Sequence, residues 1–149
     1  MKNLFDSATA EEVKERLTRL EPDSQRLWGT MNPAQALAHC SEVMEVAAGL
    51  KFPPRSLIGR LIGRFAKSSV LNEEPVRRNM PTDKSFVVKD ERDALVERQR
   101  LSELIDRFSA GGPGGCTKHP HSFFGPLTPT EWSILMYKHL DHHLRQFQV

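Results

Sequence analysis

The C-terminal helix of the chain is predicted by residues 128–147, TPTEWSILMYKHLDHHLRQF. Thr128 is a favourable N-cap residue, and Pro129 fits the first helical position, where its missing N–H costs nothing. Glu131 stands three residues after the cap and completes a capping box. These local signals predict a helix that begins at residue 129 and runs to near the C-terminus.

One stripe of this helix is predicted to face a core. Residues four apart on a helix are about 40° apart around its axis, so a stripe can be counted directly. Its members are Trp132, Leu135, Met136, His139, His143 and Gln146. Lys138, Asp141 and Arg145 are predicted to point elsewhere.

Three further helices are predicted upstream. Thr9 and Glu12 have the spacing of a capping box, so the first helix is expected to begin near residue 10. Residues 32–35, Asn-Pro-Ala-Gln, combine an N-cap, a proline at the first position and a glutamine at the third, and begin a second helix. Asp90 is expected to cap a third long helix that ends at the glycine-rich residues 111–115.

Residues 51–89 lie between the second and third predicted helices and cannot form one continuous helix. The prolines and glycines that interrupt them are Pro53, Pro54, Gly59, Gly63, Pro75 and Pro81. Within this segment, residues 56–65 predict a short amphipathic helix and residues 85–88 a brief extended piece. The segment is therefore a long irregular crossover, which permits the two helices that it joins to run parallel.

The composition is typical of a globular protein. The 149 residues fit a single domain, 1–149, and 38% hydrophobic and 27% charged residues lie in the ordinary range. Four helices, little strand signal and no internal repeat predict an all-α fold, a four-helix bundle. The formal net charge of +2 does not require a nucleic-acid partner, so none is expected.

The cysteines and the apolar runs bear on location. Cys40 and Cys116 show no spacing typical of a disulfide framework or a cysteine zinc site, so a reduced cytoplasm is expected. No apolar run approaches the roughly 20 residues that a membrane span needs. Residues 1–6 lack the apolar stretch of a signal peptide, and no membrane partner is expected.

Three histidines fall on predicted core faces. His139 and His143 are one turn apart, a spacing that lets both bind one ion at about 2.0–2.1 Å. His39, on the second helix, occupies a position where the periodicity calls for an apolar residue. Burying unpaired imidazoles costs about 1–3 kcal/mol each, and a metal ion removes that cost. The alternative interpretation is that each is a hydrogen-bonded core histidine, which is the commoner role of a lone buried histidine.

Five other residues are secondary candidates. Gln35 and Gln146 are candidates to hydrogen-bond ligand imidazoles, or else to cap and fill. Glu42, one turn after His39, is a candidate to orient an imidazole, although a solvated helix residue is the simpler interpretation. His142 is a substitute ligand if the stripe is rotated, and Trp28 is a candidate for the wall of a pocket.

Three stretches resemble an uncharacterised branch of the DinB-like superfamily, a group of metal-binding four-helix bundles. They are WGTMNPAQALAHC at residues 28–40, the loop with HP at 119–120 and FGPLT at 124–128, and YKHLDHHLRQF at residues 137–147. The last contains His-x-x-x-His followed three residues later by Gln. The resemblance implies an up-down-down-up bundle that holds a metal with His39, His139 and His143.

The resemblance also implies a class of function. Relatives are often homodimers, bind zinc, nickel or iron, and in some branches use low-molecular-weight thiols. A metal-dependent enzyme, either a hydrolase or a thiol-dependent transferase acting on a small molecule, is therefore the leading hypothesis, and a non-catalytic metal-stabilised or metal-sensing bundle is its rival. The loop at 119–124 is longer than the compact form in that branch, which leaves the roles of His119 and His121 open.

Overall fold

The computed structural model describes residues 1–80 and 82–149, so Pro81, one of the predicted interruptions, lies outside the described residues. Those residues form five α-helices and no strand, which confirms the all-helical prediction, and the fifth helix is the short one predicted within the crossover. The helices are α1 (Ser7–Thr18), α2 (Pro33–Ala47), α3 (Leu57–Val70), α4 (Ala94–Gly115) and α5 (Pro129–Gln146), and a 3-10 turn spans Lys84–Phe86.

The core lies between α1, α2, α4 and α5. The most extensive helix–helix contact is between α2 and α4, and α5 packs on α1, α2 and α4. Fully buried side chains at these contacts include Leu37, Met44, Leu101, Ile105 and Trp132. Burying a large apolar side chain stabilises a fold by about 1.5–3 kcal/mol, so this cluster supplies most of the driving force that holds the helices together. In contrast, α3 contributes only Val70 to this core.

The capping boxes predicted for α2 and α5 are present. Asn32 Oδ1 accepts from the Gln35 backbone N–H over 2.9 Å, and Gln35 Oε1 accepts from the Asn32 N–H over 3.1 Å. Thr128 and Glu131 form the same reciprocal pair at α5. The two helices that carry the three histidines therefore begin where the sequence predicts.

The predicted start of α1 is wrong. The helix begins at Ser7, three residues before the expected position, and Asp6 is its N-cap. Both the backbone N–H and the hydroxyl of Thr9 donate to the Asp6 carboxylate, so Thr9 is the third helical residue. Because the Asp6 carboxylate accepts both of these hydrogen bonds, Asp6 is the N-cap and Thr9 lies inside the helix.

The predicted start of α4 also needs correction. Asp93 caps this helix, not Asp90, because the Asp93 side chain accepts from the backbone N–H groups of Leu95 and Val96. At the other end the helix continues to Gly115, with a break at Gly112, where φ is +53°. Glycine adopts such an angle without strain, and the helix ends within the glycine-rich residues 111–115, as predicted.

Two elements of the crossover differ from expectation. The amphipathic helix predicted for residues 56–65 is α3, capped by Ser56 but extended to Val70. Of residues 85–88, predicted to be extended, Ser85 and Phe86 lie in a 3-10 turn. The backbone N–H and hydroxyl of Ser85 donate to Asp83, and this pair of bonds winds Lys84–Phe86 into the 3-10 turn.

Lys138 and Asp141 on α5 are buried, although the stripe predicted them to point away from the core. The Lys138 ammonium donates to the Asn72 carbonyl over 2.7 Å. Asp141 pairs with Arg16 of α1 and with Arg145, each over 2.8 Å. Polar partners on neighbouring segments thus allow α5 to be buried over more of its circumference than its apolar stripe.

None of the described helices combines the length and the apolar character needed to cross a membrane.

Candidate metal centre

Helices α2 and α5 bring His39, His139 and His143 together. The three ring centroids are 4.9, 4.9 and 4.8 Å apart, which is close to an equilateral triangle. His39 Nε2 lies 3.0 Å from His139 Nε2, and one ring nitrogen from each residue lies within 4.8 Å of the others. The prediction that imidazoles from two separate helices reach a common point is confirmed.

Two oxygens fix the tautomers of His39 and His143. His39 Nδ1 lies 2.8 Å from the Phe86 carbonyl, and His143 Nδ1 lies 2.9 Å from Gln146 Oε1. Since these oxygens can only accept, both Nδ1 atoms carry the hydrogen. Both Nε2 atoms then present a lone pair, which is the form of histidine that binds a metal ion.

The orientation of the Gln146 amide is itself fixed. Gln146 Nε2 donates to the Trp28 carbonyl over 2.7 Å, so the amide oxygen must face His143. Gln146 is fully buried, which prevents water from exchanging for either bond. The segment that precedes α2 therefore controls, through Gln146, how one of the α5 histidines is held.

The donor set fits a divalent ion. Because His39 Nε2 carries a lone pair, its 3.0 Å contact with His139 Nε2 has no hydrogen unless His139 supplies it. His139 Nδ1 is buried with no partner among the described residues. An ion about 2.1 Å from three tetrahedral ligands sets their nitrogens about 3.4 Å apart. The widest separation here, at most 4.8 Å, closes to that value with a shift of up to about 1.4 Å.

Burial keeps the three imidazoles neutral. It lowers the pKa of His143 to about 3 and lowers the pKa of His139 well below its ordinary value. Burial also lowers the pKa of His39, although the hydrogen bond to Phe86 opposes part of that shift. Neutral imidazoles do not have to lose a proton before they bind a metal at neutral pH.

Trp28 and His142 lie beside the triangle, not in it. The His142 ring centroid is 5.1 Å from that of His143, but the ring packs on Trp28 at 5.4 Å, and the Arg78 guanidinium lies 4.3 Å over the Trp28 ring. The substitute-ligand role considered for His142 is therefore not needed. A cavity of about 320 Å³ adjoins this group and is lined by Trp28, Pro75, Val76, Arg78, Asp141, His142 and Arg145.

Gln35 and Glu42 are held away from the imidazoles. The Gln35 amide nitrogen donates to the backbone carbonyls of residues 89 and 90. Glu42 pairs with Lys51 and, over 2.9 Å, with Arg100. Of the five secondary candidates, only Gln146 bonds to a histidine of the triangle, and Trp28 acts through it.

The loop histidines have structural partners. His119 Nε2 donates to the Pro53 carbonyl over 3.0 Å, which ties the loop to the segment before α3. His121 Nδ1 accepts from the backbone N–H groups of Phe123 and Phe124, and burial lowers its pKa to about 4. Both residues therefore shape the loop that precedes α5.

The sequence does not predict the role of the Phe86 carbonyl. A backbone oxygen carries no residue signature, and it reaches His39 from 47 positions away. The need for some acceptor at a buried imidazole could be foreseen, but only the folded 3-10 turn identifies which one.

The fold and the site together define an all-helical protein with a candidate three-histidine metal centre. Residues 3–149 match the family described as a protein of unknown function, DUF1569, and the chain belongs to that family. No protein of curated function and no solved structure matches the sequence.

Proposed function

We propose that the protein binds one divalent metal ion through His39, His139 and His143 and is a metal-dependent enzyme, either a hydrolase or a transferase that uses a low-molecular-weight thiol. The observation that carries the metal site is the pair of hydrogen bonds at Nδ1 of His39 and His143. These bonds aim two Nε2 lone pairs at the point that His139 Nε2 also reaches. The arrangement resembles a ligand set more than a group of packed core residues.

An ion held by three neutral imidazoles keeps its full positive charge and a free coordination position, which suits it to activate water or to polarise a substrate oxygen or thiolate. The chain itself supplies orientation and exclusion of water. Phe86 and Gln146 hold two ligands in one tautomer, and the burial of His39 closes the α2 side of the centre. His139 and His143 are half-buried, so a small molecule would approach past α5.

The neighbouring cavity supports the enzyme hypothesis. It has room for a small molecule, and the ring centroid of its lining residue His142 lies 5.1 Å from that of the ligand His143. Arg78 on its wall has no ion pair among the described residues and would attract an anionic substrate or thiol cofactor, whereas Arg145 is paired with Asp141 of the same wall. The cavity therefore offers a substrate site next to the proposed ion.

The proposal includes the architecture that the resemblance implies. We place α1, α2, α4 and α5 as an up-down-down-up four-helix bundle of the DinB-like type, with α3 inserted in the crossover. Zinc, nickel and iron all accept histidine nitrogen, so all three remain candidate metals. A homodimer is the proposed assembly.

The second candidate is a non-catalytic role, in which the ion stabilises the fold or is sensed by it. It is favoured by burial, since His39 is only 4% exposed and His139 Nδ1 has no partner among the described residues. In this case the ion mainly satisfies the lone pairs of a polar group inside a helical core. The two roles share the ligands and differ in whether the free position exchanges.

The metal site is tested by metal analysis of the purified protein and of the variants His39→Ala, His139→Ala and His143→Ala. About one ion per chain is expected in the parent and a large loss in each variant. His142→Ala is the matched control, because this neighbouring imidazole lies outside the triangle and its loss should leave the metal content unchanged. Failure of the parent to take up zinc, nickel or iron from solution would end the proposal.

Catalysis is tested by removing the metal. The enzyme role is supported if circular dichroism shows that the apo form stays folded while its affinity for thiols or small anions is lost. That affinity should return when the metal is added back. If removal unfolds the chain and the loaded form binds no exchangeable ligand, the ion is structural. Turnover of a thiol or ester substrate by the loaded protein, absent in His139→Ala, would then define the reaction.

A further inference from the structure

Helix α3 presents an apolar face to the outside of the molecule. Leu57 and Leu61 are 78% and 76% exposed, and Ile58 and Phe65 are each 65% exposed. With Ile62, which is half-exposed, these side chains form one continuous strip that we call the α3 strip. A contiguous exposed patch of this kind marks an interaction surface, because isolated apolar residues are normal on a protein surface but continuous strips are not.

The opposite face of α3 is fixed to the protein by two glycines. A Cβ atom on Gly59 would lie 2.5 Å from the Phe123 carbonyl oxygen, and one on Gly63 would overlap the same backbone. The Ser56 backbone N–H also donates to the Ser122 carbonyl over 2.9 Å. The helix therefore cannot turn its apolar strip inward without losing this close contact, so the strip is held facing outward.

The segment around α3 carries one sign of charge. Residues 51–72 contain five basic residues and no acidic residue, in a chain of net charge +2. Lys51 and Lys67 pair with glutamates elsewhere in the fold. Arg60 and Arg64 have no ion pair within the described part of the chain, and the Arg64 guanidinium lies 4.4 Å over the Phe65 ring.

The free arginines lie along one edge of the α3 strip. At about 100° per residue, Arg64 is next to Leu57 on the helix surface and Arg60 is one step further round. An apolar strip bordered by arginine is the pattern of helices that lie in the interface of a membrane, with the apolar side chains inserted and the cations among the headgroups.

We propose that α3 docks the protein on an anionic lipid surface. Both features of the helix are complementary to such a surface, since the strip gains by burial in the acyl boundary and Arg60 and Arg64 gain from lipid phosphates and carboxylates. A second copy of the chain is a poorer occupant, because pairing two α3 strips sets two acid-free basic segments beside each other. This docking is independent of the metal centre.

The expectation of no membrane partner rested on the lack of a spanning run, and an interfacial helix needs no such run. Docking through α3 leaves the described helices on one side of the bilayer. It therefore agrees with the finding that none of them can cross it.

The test is flotation of the full chain with vesicles of phosphatidylcholine alone and of phosphatidylcholine mixed with phosphatidylserine. Binding is expected to the mixed vesicles and to weaken with salt. Arg60→Gln with Arg64→Gln should weaken that binding by roughly 30-fold, about fivefold for each charge. Leu57→Ser with Leu61→Ser should abolish it, and both side chains are exposed enough that the fold should be kept.

Leu95→Ser with Val96→Ser is the matched control, because these apolar residues are similarly exposed but lie on α4, and this variant should bind like the parent. If the parent does not float with the mixed vesicles, the proposal is overturned. If sedimentation shows a dimer that Leu57→Ser with Leu61→Ser dissociates while vesicles bind nothing, the strip is an interface between copies. Equal loss of vesicle binding in the α4 control would also overturn it, since the effect would then not belong to α3.

Discussion

Gln146 accepts a hydrogen bond from His143 Nδ1 over 2.9 Å and donates one to the Trp28 carbonyl over 2.7 Å. These two bonds link the segment before α2 to a proposed metal ligand on α5. Because the amide has its oxygen on one side and its nitrogen on the other, both bonds together fix the ring plane and the tautomer of His143. The residues around the triangle therefore determine its readiness to bind metal as much as the three imidazoles do.

Gln146→Leu should weaken metal binding by about 10- to 100-fold, because His143 loses the acceptor that keeps its hydrogen on Nδ1. The free energy of unfolding of the apo protein should also fall by about 1–3 kcal/mol, since the partly buried Trp28 carbonyl loses its donor. The dissociation constant is measured by competition with a chromogenic chelator. Gln99→Leu, an exposed glutamine on α4, should change neither quantity. Unchanged metal affinity in Gln146→Leu would show that the orientation of His143 does not depend on this amide.

Gly29→Ala should damage the same link from its other end. Gly29 has φ of +73°, and a Cβ atom there would lie 2.7 Å from Gln146 Nε2. The left-handed conformation alone costs an alanine about 1–2 kcal/mol, and the displaced amide should weaken metal binding as well. Urea unfolding and the chelator assay measure the two effects.

Gly111→Ala is the control for this substitution. Nothing lies within 4 Å of a Cβ placed at Gly111, which is on α4. Alanine there should be neutral or stabilising by up to about 1 kcal/mol, with no change in metal affinity. Equal stability of Gly29→Ala and the parent would contradict the close packing of Gly29 on Gln146.

Local signals in the sequence predicted the elements that carry the site. The caps at Asn32 and Thr128 depend on residues only three positions apart, and helical periodicity placed His39, His139 and His143 on core faces. Each of these inferences uses contacts that a short segment makes with itself.

What the sequence did not reveal depends on contacts between distant segments. The acceptor for His39 is a backbone oxygen of the crossover. The buried Lys138 ammonium donates to Asn72, which is 66 positions away. A buried polar group requires a partner, but its identity is decided by tertiary packing, on which periodicity carries no information. The start of α1 is mispredicted for a simpler reason. Asp6 and Thr9 are both favourable N-cap residues, and the local sequence does not show which of them caps the helix.

The stability of the apo protein should fall as the pH is lowered below about 6.5. Burial lowers the folded-state pKa of His39, His139 and His143, so the unfolded chain binds more protons in this range. Their contribution is complete above the unfolded pKa and is lost as the pH falls toward the folded values, which for His143 is about 3. His143, whose folded pKa is about 3, should by itself cost about 1 kcal/mol between pH 6.5 and 5.5.

The measurement is urea unfolding of chelator-treated protein at several pH values. His143→Gln is expected to be less sensitive to pH than the parent over this range, by about one histidine's share, because it has one fewer buried imidazole. His142→Gln tests whether the effect on pH sensitivity depends on how deeply the histidine is buried. Burial lowers the pKa of His142 as well, so this variant should also be less sensitive to pH than the parent, by a smaller amount. A parent whose stability is flat between pH 7 and 5.5 would mean that the imidazoles are accessible to protons in the folded state.

Glu42→Gln should leave metal binding unchanged, although Glu42 is one turn from His39. Its carboxylate is held by Lys51 and Arg100, and these cations keep its pKa low in spite of burial. Arg100 also pairs with Glu45 over 2.6 Å, so losing one of several partners should lower the free energy of unfolding by less than about 1 kcal/mol. Arg100→Gln should cost more, about 1–3 kcal/mol, because it leaves several partly buried carboxylates with fewer partners. Metal content and urea unfolding of both variants are compared with Arg107→Gln, an exposed arginine of α4 that should behave like the parent. If Glu42→Gln lost metal as His39→Ala is expected to, the carboxylate would belong to the metal centre and its ion pairs would have to open when the metal binds.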